Sequence, residues 1–136
     1  MIPVADMKLG ILICYEDLFF SMARGVVERD ADVLVNMTND AWFGRGHVPA
    51  LHDMMAHLRA IETRRDLVRS VNTGVSSFTL ATGGTVLKTP IFTRKSFVAK
   101  VRKLTLQTVY VRFGDLLTPL CALVLTALLQ QRRHKA

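Results

Sequence analysis

The chain opens on a short apolar run, KLGILI at residues 8–13, with no period-two alternation. Such a run predicts a strand covered on both faces. From Asp17 to about Arg29 the apolar residues Leu18, Phe19, Met22, Ala23, Val26 and Val27 return at helical spacing. ADVLVNM, residues 31–37, is a second buried strand and runs into the turn-rich TNDAWFGRGHVP. A second helix is predicted from roughly Ala50 to Arg65, with Leu51, Met54, Met55, Leu58 and Ile61 on one face and charges on the other; the Met54–Met55 pair reads most simply as core. LVRSVN, VSSFTLAT and GTVLKT follow as short strands divided at Thr73-Gly74 and Gly83-Gly84, with SFVAKV a candidate for one more. The order is βαβα and then a run of β, the pattern of a layered α/β domain.

The tail follows a different rule. Residues 116–129, LLTPLCALVLTALL, carry no charge and end in QQRRHKA. That run is shorter than the roughly 18–20 residues that usually cross a bilayer, so length alone leaves a transmembrane helix and a buried core helix open. The basic residues Arg132, Arg133 and Lys135 at one end, with Tyr110 and Arg112 before the other, tilt the reading toward a membrane helix with a cytoplasmic carboxyl terminus. Two regions are therefore expected: residues 1–108 as part of an α/β domain and residues 109–136 as an apolar helix with its basic tail.

Composition sharpens this. A length of 136 residues suits one domain, and half of the residues are hydrophobic, which fits a chain part globular and part membrane-associated. The net charge of +7 would suggest nucleic acid, yet all but one unit of it comes from residue 100 onward and no basic patch is interleaved with aromatics, so nucleic-acid binding is not expected. Cys14 and Cys121 lie far apart in unlike contexts, which predicts no disulfide framework, and no His/Cys spacing suggests a metal. The first ten residues lack a signal-peptide pattern.

Candidate chemistry gathers around the two strand ends. A lone cysteine in an apolar strand commonly packs as a small hydrophobe. At a strand end just before a helix, a thiol instead opens into a cleft whose backbone N–H groups supply donors for a tetrahedral oxyanion. Glu16 reads equally as a first-turn carboxylate and as a site residue. In NMTNDAWFG, Asn39 and Asp40 have the signature of a turn hydrogen-bonded to its own backbone, while an exposed Trp42-Phe43 pair calls for a ligand, a partner or lipid. His52 and His57 read as ordinary helix residues.

Together, GILICYEDLF, ADVLVNMTNDAWFG, HDMMAHLRAIETRRDLVRSVNTGVSS and VYVRFGD with its apolar tail resemble the carboxyl-terminal third of the bacterial apolipoprotein N-acyltransferases, membrane members of the nitrilase superfamily. ICYE alone would indicate the superfamily; NDAWFG, the R-A-I-E-T-x-R helix and the terminal apolar segment are more specific. The resemblance implies part of a nitrilase-like αββα sandwich followed by a transmembrane helix. It implies a Glu-Lys-Cys triad with Cys14 as nucleophile, Tyr15 and Glu16 as the supporting residues behind it, and Asn39, Trp42 and Phe43 on a loop at the acyl entrance. Implied partners are a phospholipid acyl donor, a diacylated apolipoprotein acceptor and the inner membrane, with the catalytic domain on the periplasmic side and no cofactor. A thioester suits such a transfer because it divides ester-to-amide exchange into two easier steps.

The family's general-base glutamate and oxyanion-stabilising lysine both precede the cysteine. Here only Asp6 and Lys8 stand before Cys14 as carboxylate and cation, in an unlike context. The expectation is therefore a fragment that lacks its base and does not turn over alone. Two alternatives stay open: a soluble carbon-nitrogen hydrolase whose tail is an oligomerisation helix, and a non-catalytic remnant that binds lipid or a partner.

Overall fold

The computed structural model describes residues 1–133. One six-stranded sheet organises the chain, with strands in sequence order: β1 (Ile2–Val4), β2 (Met7–Ile13), β3 (Val33–Asn39), β4 (Asp66–Asn72), β5 (Ser77–Thr79) and β6 (Thr85–Lys88). β2, β3 and β4 are parallel, in register from Leu9 opposite Val33 and from Val33 opposite Asp66, while β1, β5 and β6 add as antiparallel hairpin strands. A parallel centre needs crossovers, and these are α1 (Phe20–Val27) and α2 (Val48–Thr63). Consequently the carboxyl ends of β2, β3 and β4 lie side by side, and the segments that follow them share one edge of the sheet.

Leu12, Leu34 and Leu67, one from each parallel strand, meet Ala23, Val26 and Val27 of α1 and Ala56 and Ala60 of α2 in the core, closed by Val111 of α3 (Val109–Phe113). Alanines on α2 let that helix lie close to the sheet, and Gly10 does the same for α1: a Cβ there would stand 2.8 Å from the Ala31 Cβ and 2.9 Å from Val26. Beyond β6, residues 89–108 run without regular structure and are tied across the domain by ion pairs and hydrogen bonds. Arg102 pairs with the buried Asp66, and Arg65 donates to the Leu106 carbonyl.

Several expectations change. SFVAKV lies in this irregular segment and is not a strand, and β1 was not foreseen. The first helix is broken: a 3-10 turn takes Cys14–Leu18, and Phe19 is extended before α1 begins. The expected core stripe of α2 faces outward, with Leu51 at 54% and Met54 at 62% exposure, so the methionine pair is not core. The inward face carries His52, Asp53, Ala56, Arg59, Ala60 and Thr63. Buried polar partners, described below, make that inversion tolerable.

The tail is helical as α4 (Leu117–Arg133), started by Asp115, whose carboxylate accepts from the Leu117 and Thr118 backbone N–H groups. Pro119 falls in its first turn, where no backbone donor is lost. Among the described residues no helix is long and apolar enough to cross a membrane. Lys135, part of the expected basic flank, lies outside the described residues.

Candidate functional site

The first component is the turn at Cys14. β2 stays extended through Ile13, and Cys14 then takes a left-handed backbone with φ 52°. A residue with a Cβ is strained there by on the order of 1 kcal/mol or more, so neighbours must hold it. Two do. Asn36, fully buried on β3, donates from Nδ2 to the carbonyls of Leu12 (3.3 Å) and Cys14 (3.0 Å). Glu16 folds back so that its Oε2 accepts the Ile13 N–H at 2.7 Å. The Cys14 side chain is half-buried, and among the described residues no hydrogen bond to its sulfur is formed. Its nearest carboxylates in sequence are engaged elsewhere, Glu16 in that backbone cap and Asp17 in the layer below.

That layer is a buried ionic network. His52 on α2 is 3% exposed, with Nε2 2.9 Å from Asp17 Oδ1 and Nδ1 3.0 Å from Asp40 Oδ1. Carboxylates only accept, and a neutral imidazole has a single N–H, so the doubly protonated ring is the form that satisfies both contacts. Burial opposes that charge, but the hydrogen bond and charge of Asp17, aided by Asp40, raise the His52 pKa above the ordinary 6.5 against Arg69's repulsion. Arg69 of β4 lies 3.4 Å from Asp17 Oδ2 and 3.5 Å from Asp53 Oδ1, and donates to Asn36 Oδ1. Asp53 also accepts from Ser77 at 2.7 Å and pairs with Lys88 and His57. Although desolvation pushes the Asp53 carboxyl up, hydrogen bonds from His57, Ser77 and Lys88 outweigh it and hold it well below the usual carboxylate range.

The third component is aromatic. After β3, Asn39 Oδ1 accepts the Ala41 N–H at 3.1 Å and opens a 3-10 turn over Ala41–Phe43. Asn72 of β4 steadies it, donating Nδ2 to Asn39 and accepting from the Asp40 N–H at 3.1 Å. Gly74 permits the close approach: a Cβ there would stand 2.4 Å from Asp40 Oδ2. Phe43 meets the Tyr15 ring edge-on at 6.1 Å, Tyr15 stacks on His52 at 5.4 Å, and Trp42 projects outward, 85% exposed. The turn at Cys14 and the aromatic loop therefore share one floor.

Such an edge offers a thiol on a constrained turn beside an apolar rim, a setting suited to attack on the carbonyl of a substrate with a hydrophobic part. Among the described residues no three His, Cys, Asp or Glu side chains are gathered as a metal ion would need. Residues 1–113 match the carbon-nitrogen hydrolase family model. The chain belongs to the carbon-nitrogen hydrolase family.

Within that family the chain is similar to apolipoprotein N-acyltransferases. It is 46% identical over 114 residues to that of Bdellovibrio bacteriovorus, covering 82% of this chain and 21% of the relative. With that of Geobacter metallireducens it shares 38% over 129 residues, 93% of this chain and 25% of the relative. The chain spans about a quarter of the length of the curated relatives it matches. Among solved structures, a carbon-nitrogen hydrolase from Helicobacter pylori G27 superposes with a TM-score of 0.57 at 15% identity, over 64% of this chain and 38% of that one. An amidase from Nesterenkonia sp. AN1, described with acrylamide added at its active-site cysteine, superposes at 0.52 and 19% identity, over 66% of this chain and 37% of that one. At these identities the two structures speak for the carbon-nitrogen hydrolase fold alone.

Cys14, Tyr15, Glu16, Asn39, Trp42 and Phe43 all lie at the carboxyl edge of the parallel strands. Asp40 does not serve its own backbone as the turn pattern suggested; its carboxylate goes to His52. His52, read from the sequence as an ordinary helix residue, joins the two loops, and Asn36 and Arg69 brace them. Polar residues at otherwise apolar strand positions, Asn36 in VLVNM and Arg69 in LVRSV, were the available signal.

Proposed function

We propose that this chain is the nucleophile-bearing part of an apolipoprotein N-acyltransferase, with the domain expected over residues 1–108 extended through α3 to Phe113 as part of its catalytic domain, because Val111 closes the core, and with α4 and the residues after it as membrane helix and tail. The observation that carries the reading is the 46% identity to the Bdellovibrio bacteriovorus acyltransferase over 82% of the chain.

In this mechanism Cys14 Sγ, as thiolate, adds to the ester carbonyl of a phospholipid. The tetrahedral oxyanion collapses, the C–O bond breaks, and the lysophospholipid leaves as its alcohol after taking up a proton. The α-amine of a diacylated lipoprotein's N-terminal cysteine then attacks the thioester, losing a proton, and the amide forms as the thiolate departs. The general base and the lysine for the oxyanion are assigned to no residue of this chain. Glu16 holds the turn that presents the thiol, Tyr15 bridges it to the rim, and Asn39 sets the loop on which Trp42 and Phe43 meet acyl chains.

α4 supports the membrane assignment. Leu117, Leu120, Leu123, Val124, Leu125, Leu128 and Leu129 are all exposed, on every side of the helix. Its apolar residues, Leu117 to Leu129, give about 20 Å of rise against a hydrocarbon core of about 30 Å, so α4 enters lipid over about two-thirds of that depth. In our reading the domain sits on the periplasmic side of a bacterial inner membrane and the basic end on the cytoplasmic side.

The test is a chimera in which residues 1–136 replace the matching segment of the Bdellovibrio bacteriovorus relative, reconstituted with phospholipid and a diacylated lipopeptide. A hydroxylamine-labile acyl group should appear at Cys14 and the lipopeptide should become N-acylated. A Cys14→Ala chimera that still acylates the lipopeptide would overturn the assignment.

A further inference from the structure

The Asp17–His52–Asp40 bridge is not explained by the reaction, since none of the three is placed to touch substrate. It is also costly: three ionisable groups, each at most 3% exposed, brought together from a turn, a helix and a loop. Two carboxylates approaching this closely without a cation would repel each other, and the cation is supplied by the helix between them. Asp17 is three residues beyond Cys14, in the same 3-10 turn, and Asp40 is two residues before Trp42. The ring of His52 also forms the surface on which Tyr15 stacks, and Phe43 meets it edge-on at 6.4 Å.

We propose that His52, clamped between Asp17 and Asp40, is a positioning residue that locks the Cys14 turn to the aromatic loop, so that thiol presentation and the seating of Trp42 and Phe43 change together. In functional terms this rests on the acyltransferase reading, because it makes readiness of the nucleophile depend on the state of the acyl-contacting loop. Physically it requires only that the imidazolium hold both carboxylates. Losing either contact leaves a buried charge facing a partner that no longer offsets it, and the unpaired side must shift.

The chain provides its own reporters, since Trp42 is its single tryptophan and Cys14 and Cys121 are its two cysteines. With Cys121→Ser in detergent micelles, iodoacetamide alkylation reads Cys14 and acrylamide quenching reads Trp42. Alkylation of every variant is compared at one pH of about 6, where the His52 imidazolium is intact. Asp40→Asn alters the loop side alone, and coupling through the imidazole should still change the Cys14 rate by about fivefold. Asp17→Asn alters the turn side alone and should change Trp42 quenching by about twofold. The double substitution should resemble His52→Gln rather than the sum of the single changes. If each substitution moves only the reporter on its own side, His52 is a packing residue and the proposal is wrong.

A measurement without these substitutions guards against variants that fail to fold. His52 is faced by Asp17 from the turn, Asp40 from the loop and Arg69 from β4, with the Tyr15 ring stacked on it. Trp42 quenching and the His52 ring nitrogen resonances should change with a common midpoint as pH rises. Trp42 quenching that stays flat across that midpoint would equally sink the proposal. None of these readouts involves turnover, so the acyltransferase reading, tested by the chimera, fails or survives separately.

Discussion

His52 shows how a single residue acquires meaning only from its surroundings. On a helical wheel it is one polar position among several; in the fold it is a buried cation between two carboxylates. Its raised pKa predicts a pH dependence with a definite sign. The stabilisation from His52 is fully present below the unfolded value of about 6.5 and is lost as pH rises through the higher folded value. Asp53 works in the opposite direction: held low by its partners, it contributes fully above about 3.8 and its contribution fades as pH falls through the folded value. Urea unfolding across pH should therefore show a decline on each side of the interval from about 4 to 6.5. Asp40→Asn should flatten the alkaline decline and leave the acid one intact; an alkaline decline unchanged by it would exclude His52 as its source.

At the scale of elements, α2 is the instructive case. Its sequence pairs an apolar stripe with a polar face, and the usual rule buries the stripe. Here Ala56 and Ala60 bring the polar face close to the sheet, where His52, Asp53 and Arg59 find partners, and Leu51, Met54 and Leu58 stay outside. The two faces should respond unequally to substitution. Leu58→Ser on the exposed stripe should alter unfolding free energy by no more than about 0.5 kcal/mol. Ala60→Leu, which overpacks a fully buried position against the sheet, should cost about 1–3 kcal/mol. Equal costs at the two sites, read by denaturant titration, would contradict the orientation of the helix. The strand–turn–helix–strand succession around Cys14 was legible because buried strands in α/β units are short continuous apolar runs and the helix between them repeats its apolar residues at helical spacing. β1 was not, since IPV is three residues long, exposed and paired on one side only.

For the whole molecule, the division between domain and tail is a difference in what covers apolar surface. Val111 of α3 is fully buried in the core, whereas the leucines of α4 contact nothing that hides them. Truncation after Asp115 should therefore leave the cooperative unfolding of the sheet domain in place and abolish flotation with phospholipid vesicles. A truncated chain that still floats would locate the lipid contact elsewhere, with Trp42 and Phe43 the next surface to test.

By itself, the sequence determined the order of elements from β2 to β6, the presence of a cysteine at a buried strand end, the aromatic loop after the next strand, and the family these motifs belong to. Those are local properties: hydrophobic period, turn chemistry and contiguous motifs are all written in neighbouring residues. Only the tertiary structure decided that Cys14 sits in a left-handed turn held by Asn36 from the adjacent strand, that α2 turns its polar face inward, and that His52 joins two loops through Asp17 and Asp40. Those depend on which side chains meet across 12 to 35 positions of separation, and on a buried charge being tolerated because its partners arrive with it.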